Sequence, residues 1–339
     1  MDEKIGGYDA KLTKRTREMR EENIAYLEHY SRGQADAYPE NVELAKEILG
    51  TFNMQHLKEV FYEYLKKSGV PIENANGVAL ERIFVYPRED ASAVYESFEN
   101  VIAFSISDKP FLEAKSYKSK EGTIPEELLM KMQIYFIHET CHAFSRNRIY
   151  SLGIDAPISK IRGESGYDIE ESTYSEHTDE PPSELSRSLE AFNEGVTQRI
   201  AEEVFLEYQR RIGKSTEAER FLESFVRGNA ESFWRYSICS NQVDFMCETI
   251  GEYVGVPKVV VWNSIKRGYF EKPELYNEGT IGLFEETFGK DFLKEHAALS
   301  NQTSIRDLAY FQCKQGFPPP NEYADKWLHH LGITQTPKE

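Results

Sequence analysis

The spacing of apolar and charged residues predicts helices in the N-terminal part of the chain. Residues 8–31 carry opposite charges four positions apart, and residues 40–68 place apolar side chains at helical spacing before Gly69. Both patterns are typical of amphipathic helices, in which side chains three or four positions apart share one face. We therefore predict an N-terminal helical region over residues 1–75.

The pattern then changes to short runs of β-branched and aromatic residues. Residues 81–87 (ERIFVYP) and 101–107 (VIAFSIS) are two such runs, and turn-forming residues bound both of them. These features predict two strands of a small sheet.

A mostly apolar helix is predicted next, at residues 124–146. Thr123 is its expected N-cap, Pro125 lies in its first turn, and Glu126 occupies the N3 position of a capping box. Residues 147–183 then interrupt the regular pattern with Gly, Pro and Ser, which predicts a loop.

Helical patterns resume after this loop, at residues 184–211, 216–229, 231–254 and 256–267, with shorter helices towards the end. Strands give way to helices instead of alternating with them. This order favours an α+β, predominantly helical fold over a doubly wound sheet.

Charge and hydropathy exclude two classes of protein. The 40 basic and 57 acidic residues give a net charge of −17, which argues against nucleic acid as a partner because phosphates would be repelled. The sequence also lacks the run of about 20 apolar residues that a membrane-spanning helix needs. We therefore expect no nucleic-acid and no membrane partner.

The N-terminal residues and the spacing of the cysteines indicate where in the cell the protein is expected. The first thirty residues are highly charged and resemble no signal peptide. The cysteines lack CxxC spacing, which predicts reduced thiols and not a disulfide framework. We therefore expect a cytoplasmic protein. Export by a pathway that needs no cleaved signal peptide is left open as an alternative.

The candidate chemistry lies in the apolar helix, as the sequence His138-Glu139-Thr140-Cys141-His142. Residues four apart share a helix face, so His138 and His142 can bind one metal ion, and imidazole nitrogen suits Zn²⁺. Glu139 points about 100° away, where it could act on a water molecule as a general base. Cys141 is interpreted as a packing residue.

A third ligand is needed for a catalytic zinc site. The longer pattern H-E-x-x-H-x-x-G-x-x-H is excluded because Ser145 and Arg148 stand where its glycine and third histidine would be. Downstream, Glu194 lies within Asn193-Glu194-Gly195 in the middle of a predicted amphipathic helix, and it is the candidate third ligand.

These motifs resemble the gluzincin branch of the zincin metallopeptidases, in which H-E-x-x-H on one helix is joined by a glutamate from a second. The resemblance implies one Zn²⁺ per chain bound by His138, His142 and Glu194, with Glu139 as general base and a peptide or protein as substrate. Gln198 departs from the family pattern, which has an acid there.

The resemblance also implies a zincin-like fold with a small N-terminal-lobe sheet, an active-site helix and a helical C-terminal lobe. The catalytic domain would cover residues 76–335: the sheet and motif helix at 76–146, an inserted acidic loop at 147–183, and the helical lobe at 184–335. The strand at 101–107 would be the edge strand that holds extended substrate.

Further candidates carry weaker signals. Tyr236 is a candidate donor for the developing oxyanion, ahead of Arg199 and Arg235, although an ordinary core role suits it too. Residues 164–186 hold eight acidic residues and no Lys or Arg, which indicates either a lid that favours basic substrates or a solvated loop. His177, within that segment, is a further candidate ligand or oxyanion donor.

Three functions remain compatible with these residues. The leading one is a zinc-dependent peptidase. The second is a zincin-fold protein that hydrolyses an amide bond in a small molecule, which a small closed pocket would favour. The third is a catalytically inactive interaction module with a relic metal site, which a missing third ligand or a fourth ligand would favour. The sequence does not specify the oligomeric state.

Overall fold

The computed structural model describes residues 3–5, 7–75, 77–88, 91–152, 158–175, 183–227 and 235–271, together with isolated positions between 284 and 298. The helices are α1 (Lys14–Ala37), α2 (Pro39–Gly50), α3 (Met54–Lys67), α4 (Lys109–Glu121), α5 (Glu126–Phe144), α6 (Glu190–Arg211), α7 (Ser215–Arg227), α8 (Arg235–Val254) and α9 (Lys258–Phe270). The strands are β1 (Glu3–Ile5), β2 (Tyr8–Lys11), β3 (Ile83–Tyr86), β4 (Ala93–Glu96), β5 (Val101–Ser105), β6 (Asn147–Leu152), β7 (Ile158–Ser165), β8 (Asp168–Ser175) and β9 (Ser183–Ser188).

The described chain mixes α and β structure and is mostly helical, which confirms the predicted class. Within the described residues, no helix is both long and apolar enough to cross a membrane.

The N-terminal region is not wholly helical, contrary to the prediction for residues 1–75. Strand β2 pairs in parallel with β6, and Tyr8 and Ala10 alternate into a small buried cluster with Ile149 and Ile161. The opposite charges four positions apart belong to α1, whose N-terminus is capped by the Thr13 side chain. Local spacing could not reveal the strand, because its partner is far away in the sequence.

The three-stranded sheet confirms both predicted strands but places them differently. Its order is β3-β5-β4, so β5 is central and all five of its residues are buried. The expectation that residues 101–107 form the edge strand is therefore wrong. The edge strand that packs against α5 is β4, which pairs antiparallel with β5.

Helix α5 crosses this sheet and is buried on most sides, as its apolar sequence predicts. Its start differs from the prediction: Pro125 occupies the N-cap position without a side-chain cap, and Thr123 does not cap the helix. Glu126 pairs with Lys214 at 2.5 Å instead of closing a capping box. The Glu126 side chain thus contacts the residue before α7 and not the start of its own helix.

The predicted loop at 147–183 is wrong, because β6, β7 and β8 form antiparallel hairpins in a six-stranded sheet of order β1-β2-β6-β7-β8-β9. The start of the helix predicted at residues 184–211 is also wrong, because residues 184–188 belong to strand β9. Arg146 and Arg162 both contact Glu164, at 3.4 Å. The charges indicated a solvated loop from sequence, but here they lie along strands and are partly paired across them.

Helices α6 to α9 form the described part of the predicted helical lobe. Helix α6 lies between α5 and α8, and Gly195 allows this close approach because a Cβ there would lie 2.3 Å from the Cys239 carbonyl oxygen. The short helices predicted towards the C-terminus lie outside the described residues.

Candidate metal centre

Helices α5 and α6 bring the three predicted metal ligands together. His138 and His142 lie one turn apart on α5, with their Nε2 atoms 3.2 Å apart. Glu194 on α6 places one carboxylate oxygen 3.0 Å from His138 Nε2 and the other 3.4 Å from His142 Nε2. All three side chains are buried, and their ligand atoms lie within 4.8 Å of one another.

These distances suit a zinc ion. Ligand atoms at the corners of a tetrahedron, each roughly 2.0–2.1 Å from Zn²⁺, lie about 3.3 Å from each other. The two Nε2 atoms, 3.2 Å apart, and the pair formed by His138 Nε2 and one Glu194 oxygen, at 3.0 Å, are close to that value, and the second Glu194 oxygen lies 3.4 Å from His142 Nε2. Among the described residues, no fourth His, Cys, Asp or Glu joins the group, so these residues would hold the metal with one position open.

Gln198 fixes which nitrogen of His138 faces the cluster. The Nδ1 atom of His138 lies 3.0 Å from the side-chain oxygen of Gln198. An amide oxygen only accepts hydrogen bonds, so Nδ1 donates to Gln198 and Nε2 faces Glu194 and His142. The residue that departs from the gluzincin pattern therefore still orients a ligand, through its amide oxygen.

Glu202 in turn orients Gln198, and sequence reasoning missed it. The Gln198 side-chain nitrogen donates to a Glu202 carboxylate oxygen at 2.9 Å, which holds the amide with its oxygen towards His138. Burial raises the pKa of Glu202 to about 7, against the opposing effects of Gln198 and Arg199. The spacing of four residues from Glu194 to Gln198 to Glu202 along one helix is the signal that could have revealed this chain of contacts.

Glu139 lies beside the cluster but does not join it. One carboxylate oxygen accepts a hydrogen bond from the backbone N–H of Tyr95 in β4, at 2.8 Å. Burial raises the pKa of Glu139 to about 7, with His138 opposing the shift and Glu194 adding to it. A carboxyl group that titrates near neutral pH is suited to accept a proton and release it again.

Glu194 behaves in the opposite way, although its surroundings are similar. Burial alone would raise its pKa, but the neighbouring His142 and His138 outweigh burial and hold the pKa well below its usual value. The two neighbouring carboxyl groups thus have pKa values shifted in opposite directions, as expected for a ligand and a base.

The residues around Glu194 explain why the motif reads Asn-Glu-Gly. The Asn193 side-chain oxygen accepts from the Tyr167 backbone N–H at 2.8 Å, which ties the β7–β8 turn to α6. Gly166 in that turn has φ +58°, and a Cβ there would meet the Tyr269 ring at 2.4 Å. Local sequence gave no sign of these partners, because they lie in different elements.

A cavity of about 160 Å³, which we call the inner compartment, opens onto this cluster. Glu139, His142 and Glu194 line it on the helical side, β4 contributes Val94 and Tyr95, and the β7–β8 hairpin forms the opposite wall. A substrate could therefore reach both the base and the metal ligands from one side.

Of the other sequence candidates, the structure describes the side chains of Arg199 and Cys141. Arg199 lies on another face of α6, where it pairs with Asp244. The side chains of Tyr236 and Arg235, at the start of α8, and the whole of His177 lie outside the described residues. Cys141 is fully buried in the core, in keeping with a packing role.

Comparisons with family models, curated proteins and solved structures give no significant match. The functional argument therefore depends on the geometry of the site.

Proposed function

We propose that the chain is a zinc-dependent metallopeptidase of gluzincin type. The observation that carries this proposal is the convergence of His138, His142 and Glu194 on one point, with Glu139 held beside them in the same cavity. A purely structural metal site has four protein ligands and no use for a neighbouring base.

Each residue of the site would have its own role in the reaction. His138, His142 and Glu194 would hold Zn²⁺, which when bound supplies Lewis acidity that polarises a substrate carbonyl and makes water more acidic. Glu139 would take a proton from the attacking water and deliver it to the departing amine. The Tyr95 backbone N–H fixes the position of Glu139 for both transfers.

A second candidate is hydrolysis of an amide bond in a small molecule by the same residues. This reaction would require a substrate small enough to be confined to the inner compartment of about 160 Å³. The peptidase is preferred because a larger cavity, which shares lining residues with the inner compartment, leaves room for an extended substrate.

The test is the zinc content of the purified protein, measured by elemental analysis for wild type and Glu194→Ala. We expect one zinc per chain in wild type and loss of it in the variant. Glu207→Ala, at the far end of α6, is the matched control and should keep its zinc. Wild type that holds no zinc after reloading would overturn the proposal.

A further inference from the structure

A second cavity of about 400 Å³ adjoins the inner compartment, and we call it the outer compartment. The two share three lining residues, Ser97, Gly163 and Glu170. Pockets that take a whole small-molecule ligand usually measure about 300–1,000 Å³. The inner compartment is smaller than that, so a bound substrate would extend into the outer one.

The N-terminal helix builds much of the outer compartment. Met19 and Asn23 of α1 form one wall, Phe98 and Glu99 of the β4–β5 turn form a second, and strands β6 to β8 form the floor. The parallel pairing of β2 with β6 holds this helix in place. The N-terminal region thus contributes directly to the cleft beside the metal centre.

The outer compartment is lined by both apolar and acidic side chains. Four apolar side chains lie along it, those of Met19, Phe98, Ile149 and Ile161. The charged residues among the described lining are all acidic and include no Lys or Arg. Long basic side chains suit such surroundings, because their methylene stems pack on apolar walls while their charged ends meet carboxylates.

Two of the carboxylates differ in how well they are already paired. Glu96 forms an ion pair with Arg88 at 2.8 Å. Glu99 accepts from the neutral amide of Asn23 at 2.9 Å. Burial raises the pKa of Glu99, with this hydrogen bond opposing the shift. A cation placed beside Glu99 would stabilise its ionised form.

We propose that the outer compartment is a subsite for a lysine or arginine side chain of an extended peptide, with Glu99 as the residue that selects the positive charge. The proposal rests on the peptidase function, since it places the scissile bond of that peptide in the inner compartment. The apolar walls then determine the length of the accepted side chain, and Glu99 determines its charge.

The test measures peptide binding by fluorescence anisotropy, with full-length, zinc-loaded Glu139→Gln protein so that bound peptide is not cut. The probes are fluorescein-labelled, alanine-based octapeptides that differ at one position, scanned along the peptide: Lys, Arg, norleucine, Leu or Glu. Norleucine matches the stem of Lys without its charge. At one position we expect Lys to bind roughly tenfold more tightly than norleucine.

Substitutions then assign that preference to the outer compartment. Glu99→Gln keeps the acceptor for Asn23 and should make Lys and norleucine bind equally, and Glu99→Lys should favour Glu over Lys. Met19→Trp fills the apolar wall and should weaken Lys and norleucine alike. Glu28→Gln, an exposed position on the same α1, is the matched control and should leave the Lys preference unchanged.

Two results would overturn the subsite: equal binding of Lys and norleucine at every position, or a Lys preference that survives Glu99→Gln. Failure of the peptidase function gives a different result. In that case the Lys preference and its dependence on Glu99 would remain, but wild-type protein would not cut the preferred peptide.

Discussion

Two faces of the same helix, α6, carry charged and polar groups in very different states. On the face towards α5, Glu194 and Gln198 meet imidazole nitrogens. On the face towards α8 and α9, Arg199 pairs with Asp244, and its guanidinium lies 4.6 Å from the centre of the Trp262 ring.

On the second face, each charged side chain described next has a partner within the protein. Glu203 accepts from the Tyr64 hydroxyl at 2.5 Å, from Trp262 Nε1 at 2.6 Å and from Lys266 Nζ at 3.3 Å. Each charge there meets an opposite charge or a donor, as buried charges require.

The first face is a group of side chains that could hold a metal ion. His138 Nε2 and the carboxylate of Glu194 point towards the same place as His142 Nε2. Acceptors that converge in a buried place repel each other unless a proton or a metal ion lies between them. The comparison shows that burial of charge alone does not indicate a site, whereas convergence of acceptors does.

The largest effect is expected for a substitution on α5 that removes the proposed general base and leaves the metal ligands unchanged. Glu139→Gln should lower peptide turnover by about 100-fold to 10,000-fold, the usual contribution of a general base. The zinc content should stay at one per chain, because Glu139 is not a ligand. Peptidase assays and elemental analysis on the same sample check both statements. Full turnover in the variant would exclude Glu139 as the base.

The next largest effect is a loss of stability on substitution of Arg199, on the second face. Arg199→Met removes the partner of Asp244 and should destabilise the protein by about 2 kcal/mol, less than for a fully buried pair because Lys258 still contacts Asp244. Zinc affinity should stay unchanged. Urea unfolding of the metal-free protein measures the first quantity and chelator competition the second. Loss of zinc affinity would show that the two faces are coupled.

The connection between ligand and supporting residues can be tested in the same way. Gln198→Leu removes the acceptor for His138 Nδ1 and should weaken zinc binding by about tenfold or more. The exchange Gln198→Glu with Glu202→Gln restores an acceptor towards His138 and should recover the affinity. Chelator competition measures affinity, and ¹⁵N chemical shifts of His138 report its tautomer. Unchanged affinity and tautomer in Gln198→Leu would contradict the assigned role.

The sequence predicted the parts of the site that follow helix spacing. His138, His142 and Glu194 were found because motif spacing on one helix and a short motif on another define them. Strands β3 and β5 were predicted from their β-branched and aromatic residues. The gluzincin assignment stays a prediction, since geometry alone does not test the reaction.

The features that the sequence did not reveal depend on partners far away in the chain. The β6–β9 hairpins resembled a loop because part of the charge pairing runs across strands, as Arg162 pairs with Glu171. The edge position of β4, and with it the hydrogen bond from Tyr95 to Glu139, follows from the order of strands, which local patterns do not specify.

A further expected effect is a pH dependence that arises from Glu202. Its pKa in the folded protein, about 7, lies above the usual 4.5. Folding therefore favours the neutral form, and the contribution of Glu202 to stability is fully present below pH 4.5 and is lost as the pH rises through 7. Glu202→Gln is neutral at every pH. Linkage between these two pKa values predicts that the metal-free variant gains about 2.5 kcal/mol of stability relative to wild type between pH 5 and pH 8.

Urea unfolding of the metal-free proteins at pH 5 and pH 8 measures this difference. Glu207→Gln on the same helix is the matched control and should show no such change between pH 5 and pH 8. The hydrogen bond from Arg210 lowers the pKa of Glu207, so its contribution is present above the usual pKa and is lost as the pH falls. If Glu202→Gln showed the same change in stability with pH as wild type, Glu202 would titrate as an exposed carboxylate, and burial of the Gln198–Glu202 contact would be refuted.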